Sequence, residues 1–180
     1  MVGESKGVAV VEMVMVVAII GILMVIALPD FLGLTPRMPL KSAARDIVSN
    51  MQLARINAIR DDSTWAVQFD TGAARYRVLS DDGADDTWNT ADDTLYKTVK
   101  LSDYPGVSYG SGHGARPGTD SFPADGVSFN SNRVVFNPDG TSVSGTVYIK
   151  IDNGDTFAIG LLSAAGRIKT WCNYGSGWEE

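Results

Sequence analysis

The sequence predicts an α+β protein, with an N-terminal transmembrane helix followed by a second amphipathic helix packed on an antiparallel β-sheet head. Three observations carry this. Residues 8–28 form an apolar block broken by a single charge; residues 40–58 repeat apolar side chains at helical spacing; most of the remainder alternates apolar and polar residues between turn-forming pairs. A chain of 180 residues holds one ordinary domain with its own core, and is too short for two such domains plus a membrane segment. The 15 basic and 21 acidic residues leave a net charge of −6. With this balance there is no broad basic footprint, and a nucleic-acid or anionic-lipid partner is disfavoured. Cys172 is the sole cysteine, which excludes an intramolecular disulfide and a multi-cysteine metal cluster.

The apolar run VAVVEMVMVVAIIGILMVIAL, Val8 to Leu28, is 21 residues long. As a helix rising about 1.5 Å per residue it spans a bilayer core of roughly 30 Å. Lys6 in the short preceding segment fits a cytoplasmic flank, which puts the head outside the cytoplasm. A cleaved secretory signal fits less well: the block exceeds the ~7–15 residues of a signal core, and Pro29-Asp30-Phe31 follows it instead of a small-residue cleavage site. Glu12 separates an ordinary anchor from something more specific. A carboxylate inside the apolar core costs about 2.5–3.5 kcal/mol on insertion scales and calls for a partner, yet Val8–Leu28 contains no basic residue.

With Gly7 before the helix, Glu12 at its fifth position, Pro29 at its twenty-second and the core Ala18-Ile19-Ile20-Gly21-Ile22-Leu23, the segment resembles the type IV pilin and pseudopilin family. Val8 stands where that family usually has phenylalanine or methionine. The resemblance implies a leader of residues 1–7, removed by a prepilin peptidase after Gly7. It further implies an N-methylated terminus at Val8, a transmembrane and assembly helix at 8–29, and stacking of such helices into a filament in which Glu12 meets the freed amino group of a neighbour. Pro29 removes a backbone donor and is expected to kink or end the helix near Leu28. With Pro36 and Pro39 it predicts a broken connector over 30–39.

Leu40, Ala44, Ile47, Met51, Ala54 and Ala58 then mark one face of a helix over 40–60, whose polar face carries Lys41, Arg45, Gln52, Arg55 and Arg60. Alternation in Trp65-Val67-Phe69, Tyr76-Val78, Val147-Ile149-Ile151 and Phe157-Ile159-Leu161 predicts strands between 64 and 172. Asp70-Thr71-Gly72, Pro138-Asp139-Gly140, Asn153-Gly154 and Ala165-Gly166 supply tight turns and hence antiparallel pairing. The words Gln52-Leu53-Ala54-Arg55, Ala58-Ile59-Arg60, Val134 to Gly140 and Gly166-Arg167 resemble the GspH/FimT branch, the minor pseudopilins of type II secretion and their pilus relatives. That implies a structural subunit, not an enzyme. It would be a single-pass inner-membrane protein whose head, residues 40–180, stands in the periplasm near the tip of a pseudopilus and assists protein export. Its partners would be other pseudopilins or pilins, the prepilin peptidase, the inner membrane and the secretion machinery.

Two segments read as insertions. Tyr104 to Gly126, rich in glycine, proline and serine, predicts a long exposed loop suited to partner contacts. Residues 81–93 gather six aspartates, and hard oxygen ligands such as Asp81, Asp82, Asp85 and Asp86 can bind Ca²⁺; the EF-hand spacing fails, so a solvated acidic loop is the competing reading and no other cofactor is implied. His113, the sole histidine, sits among glycines without an orienting partner, and no nucleophile elbow or phosphate loop is present. A membrane-anchored hydrolase therefore stays a remote alternative. A FimT-like minor pilin of a type IV pilus, acting in DNA uptake or adhesion, shares every motif. The acidic terminus Trp178-Glu179-Glu180 speaks against phosphate contact there, while Arg116, Arg133, Arg167 and Lys169 could still gather into a basic patch.

Overall fold

The computed structural model describes residues 5–34, 37–84, 87–88, 90–119, 121–162 and 165–180, with side chains in the first helix from 10 to 24. The chain forms two units, Met1–Pro36 and Arg37–Glu180. The first is helix α1 (Ser5–Leu34), 30 residues long. Its side chains from 10 to 24 are all exposed, Glu12 among them, and the face at Gly21 is open. Over the described residues no helix is long and apolar enough to cross a membrane. Pro29 does not end the helix, which continues to Leu34. A proline forfeits one hydrogen bond, here to the carbonyl of Val25, but the residues on either side can keep helical geometry, so it marks a weakened turn better than a terminus.

The second helix, α2 (Arg37–Asp61), starts three residues earlier than its apolar stripe. Helix therefore enters the expected connector from both sides, leaving only 35–36 between the two elements, outside the described residues. Pro39 is tolerated because it lies in the first turn of α2, where backbone N–H groups have no intrahelical partner. At the far end Asp62 adopts a left-handed conformation (φ 51°), and the Ser63 amide donates to the Ala58 carbonyl at 3.2 Å, closing the last turn.

The predicted single sheet is two. One has the order β3-β2-β1-β5, built from β1 (Trp65–Asp70), β2 (Arg75–Asp81), β3 (Thr94–Lys100) and β5 (Arg133–Phe136). The other has the order β4-β6-β7-β8-β9, from β4 (Ser108–Tyr109), β6 (Gly145–Lys150), β7 (Thr156–Leu161), β8 (Ile168–Asn173) and β9 (Trp178–Glu179). All these pairings are antiparallel. α2 packs on β1, β2 and β5 of the first and on β6 and β7 of the second. Leu40, Ile47 and Met51 of α2 share one core with Val67, Phe69, Val134, Val147, Ile149 and Ile159. Strand alternation fixes which face each residue takes but not which strand lies alongside, which is why one sheet could not be told from two.

Residues 104–126 are not a free loop. The segment contributes β4, and its later part lies on the opposite face of the five-stranded sheet, beside a second core of Tyr148, Ala158 and Trp171. Arg116 is buried there, its guanidinium 4.3 Å from the Trp171 ring and its Nε donating to Thr146 Oγ1 at 3.1 Å, while Phe122 meets Tyr148 edge-on at 5.0 Å. Glycine and proline content signalled irregular backbone correctly; the aromatic face that holds it down comes from residues 26 or more positions later.

A polar network ties α2 to the first sheet. The hydroxyls of Tyr76 and Tyr104 both donate to Asp46 Oδ2, at 3.1 and 2.8 Å, and Asn50 Nδ2 donates to Tyr76 Oη at 2.8 Å. Burial, then the Asp46 charge, raise Tyr76 well above the ordinary tyrosine value; burial and the bond to Asp46 push Tyr104 up to about 12. The unfolded chain ionises its tyrosines near pH ~10, so the stabilisation is complete below that and is lost as pH rises towards the folded values. Urea unfolding of the wild type should weaken steeply above pH ~10, and the Tyr76→Phe/Tyr104→Phe variant should show a shallower decline. Equal slopes would separate the two hydroxyls from alkaline unfolding.

Candidate functional site

Three of the four head segments with family-like wording meet at one side chain. Arg55, in the C-terminal half of α2, donates from Nε to the Gly140 carbonyl at 3.1 Å and from its terminal nitrogen to the Ala165 carbonyl at 2.9 Å, partners 85 and 110 residues away. A guanidinium presents several donors in a fixed plane and can satisfy two turn carbonyls at once. Both turns need glycine. Gly140 (φ 76°) is left-handed, and a Cβ there would sit 3.0 Å from Ile59 Cδ1; Gly166 (φ 66°) is likewise, and its Cβ would lie 2.7 Å from the Gly140 carbonyl oxygen. Within Asn137–Thr141 the Gly140 amide donates to Asn137 O and the Thr141 amide to Asp139 Oδ1, both at 2.9 Å. The hydroxyl and amide of Thr141 hold the Asp139 carboxyl below its ordinary range.

The start of α2 is pinned separately. Arg37 Nε donates to Asp155 Oδ2 at 2.8 Å, with the Asp155 side chain 6% exposed, and the Arg37 guanidinium lies 4.7 Å from the Tyr174 ring. No sequence signal pointed to this pair, because the partners are 118 positions apart.

Between these two fixings, α2 and the β7–β8 region enclose a groove made of two depressions that adjoin at Gln52. One, about 610 Å³, is lined by Arg55, Ile56, Arg167 and Ile168 among others. The second, about 320 Å³, is lined by Lys41, Arg45, Val48, Phe157 and Thr170 among others. Apolar and cationic side chains line the groove together. Among the described lining residues there is no histidine, cysteine, aspartate or glutamate.

The residues singled out in the sequence are dispersed. Gly7, Val8 and Pro29 fall within the α1 backbone, their side chains outside the described residues, and Glu12 is exposed on the same helix. Asp81 ends β2 and accepts the Gly83 amide at 3.2 Å; Asp85 and Asp86 lie outside the described residues. Asp92 accepts the Ala84 amide at 2.9 Å and the Thr90 hydroxyl at 2.6 Å. Burial lowers the Arg133 pKa, while the charges of Asp93 and Asp82 oppose that shift, so part of the acidic loop faces an arginine. Among the described residues no group of three or more His, Cys, Asp or Glu is placed to hold a metal ion; Ca²⁺ binding here rests on composition alone. The basic patch of Arg116, Arg133, Arg167 and Lys169 does not form. Arg116 is buried over Trp171, Arg133 belongs to the other sheet, and Lys169 pairs with Glu180, which leaves Arg167 exposed at the groove rim.

A family model described as type II transport protein GspH matches residues 43–166, a range that holds α2 from its second turn, the Arg55 contacts and both glycine turns. No curated protein matches the chain. The solved structures that are similar include two of the minor pseudopilin EpsH from the type 2 secretion system of Vibrio cholerae. One has 14% identity and a TM-score of 0.48, covering 73% of this chain and 94% of that one; the second has 18% identity and a TM-score of 0.44, covering 73% and 92%.

The Arg55 staple should be separable from simple charge. Arg55→Lys keeps the charge but cannot hold two divergent carbonyls, and should cost the head about 1–2 kcal/mol in denaturant unfolding. Gly166→Ala should cost a similar amount by pushing on the same contact. The double variant should cost less than the sum, because both changes break one arrangement; strict additivity would show that the turns are held by something else.

Proposed function

The chain belongs to the GspH family of type II transport proteins, and from that premise we propose that it is a minor pseudopilin, a structural subunit placed near the tip of the type II secretion pseudopilus, where it assists export. The observation that carries this is the family match over residues 43–166, joined to a 30-residue helix whose described surface is apolar and exposed apart from one carboxylate. A helix apolar on every side calls for burial in lipid or among other helices. In this reading residues 1–7 are a leader, 8–29 the membrane and assembly segment, and the head stands in the periplasm.

Glu12 then acts in assembly. Lys6 is the one cation in α1 and leaves with the leader; residues 8–36 contain no lysine or arginine, so after cleavage the carboxylate has no cation on its own helix. Cleavage after Gly7 creates an ammonium at Val8, which on a neighbouring subunit is a partner of the right charge in a low-dielectric setting. Desolvation offsets much of the attraction, so the pair contributes more to register and selectivity than to net stability.

Mass spectrometry of the membrane-extracted protein should find a mature terminus at Val8, N-methylated; an intact Met1 in cells with active peptidase would defeat the assignment. Glu12→Ala should leave membrane insertion intact and reduce cross-linking to other pseudopilins and secretion output at matched abundance. Unchanged incorporation would sink the pairing role while leaving the cleavage result standing.

A further inference from the structure

We propose that the groove between α2 and the β7–β8 region is the docking site for an acidic, amphipathic segment of a neighbouring subunit in the filament; this rests on the pseudopilin reading above. The first ground is unbalanced charge. Among the described residues Arg37, Arg60, Arg75 and Lys169 each have a carboxylate partner, whereas Lys41, Arg45 and Arg167, all exposed, have none, nor do the scattered Lys100 of β3 and Lys150 of β6. Three unpaired cations therefore gather at one groove of a chain whose net charge is −6.

The second ground is the apolar lining. Val48, Ile56, Phe157 and Ile168 are apolar, and Ile56 is 63% exposed. A branched aliphatic left that open beside a groove is a place for a partner's apolar side chain. Cations alone would also attract polyphosphates or anionic lipid headgroups. The acidic remainder of the molecule repels extended polyanions and the surface of an anionic bilayer, however, and a polyphosphate makes no use of an apolar lining. A segment with carboxylates on one side and leucine or phenylalanine on the other satisfies both halves.

The third ground is dimension and rigidity. From Lys41 to Ile56 the α2 ridge runs about 22 Å at ~1.5 Å per residue, which matches four turns of a partner helix or about seven residues of a strand. Arg55, which holds the Gly140 and Ala165 carbonyls, and Arg37, which holds Asp155, fix the walls before anything binds. A preformed groove spares a partner the cost of ordering it.

The test uses the full-length protein in detergent, and in cells. In vitro, a labelled helical Glu/Leu peptide is titrated by fluorescence anisotropy beside its Gln/Leu counterpart of equal length, a DNA duplex and anionic lipid vesicles. The Glu/Leu peptide should bind more tightly than all three, and Lys41→Glu/Arg45→Glu should weaken it at least about tenfold. Ile56→Asp should weaken it comparably with the cations intact. Binding that ignores these substitutions, or a preference for DNA or vesicles, overturns the proposal. In cells, a photo-cross-linking residue replaces Ile56 in one strain and Val16 of α1 in another. The expected Ile56 product is another filament subunit joined through an acidic segment; lipid, DNA, a second copy of this chain or no product overturns the proposal. If the Val16 probe still captures pseudopilins, only the groove assignment falls. If Val16 also captures none, the pseudopilin reading falls with it.

Discussion

The head depends on the burial of one stripe of α2. Leu40, Ile47, Met51, Ala54 and Ala58 are fully shielded from solvent, and no described strand belongs to both sheets. The two sheets are therefore joined chiefly by the core they share beneath that helix, where Phe69 and Val134 of one side meet Val147 and Ile159 of the other. The alanines set the spacing, since small side chains at 43, 44, 54 and 58 let strands approach closely while Leu40, Ile47 and Met51 fill the volume between them. A larger residue at one of the alanines would push against both sheets at once.

Because apolar contact is non-directional, it leaves the helix free to slide or turn, and polar groups remove that freedom. Arg37 fixes the first turn through Asp155, Asp46 gathers the hydroxyls of Tyr76 and Tyr104, and Arg55 holds the two glycine turns. Each is a hydrogen bond from or to a charged group, about twice as strong as a neutral one. Together they pin α2 at three points along its length, to turns and strands that its own sequence neighbours could not reach. The same helix that organises the core consequently presents a fixed outer ridge, from Lys41 through Arg45 and Gln52 to Ile56.

Charge is segregated in the same way. Aspartates crowd the connection between β2 and β3, where Asp82 and Asp93 act on Arg133 and Asp92 binds the loop's own backbone. Lys41, Arg45 and Arg167, cations without a carboxylate partner, stand beside α2 and the β7–β8 connection. A subunit with acidic and basic surfaces apart from each other is suited to directional contacts with unlike neighbours, and to rejecting copies presented in the wrong orientation.

The amphipathic stripe of α2, the strand alternation and the glycine turns were legible in the sequence because each is a local property, set by helical or extended periodicity or by a backbone angle that only glycine adopts easily. Family-like wording was legible at Gln52–Arg55, Ala58–Arg60, Val134–Gly140 and Gly166-Arg167, but as four separate segments. That Arg55 joins the Gly140 and Gly166 turns, that 104–126 is held by Arg116 on Trp171, that helix continues past Pro29, and that the strands form two sheets were decided in the folded chain. Periodicity states which side of an element seeks burial, and composition states how much charge there is. Neither states which distant carbonyl, ring or strand edge will lie within 3 Å of a given side chain, because that distance depends on how every other element has packed.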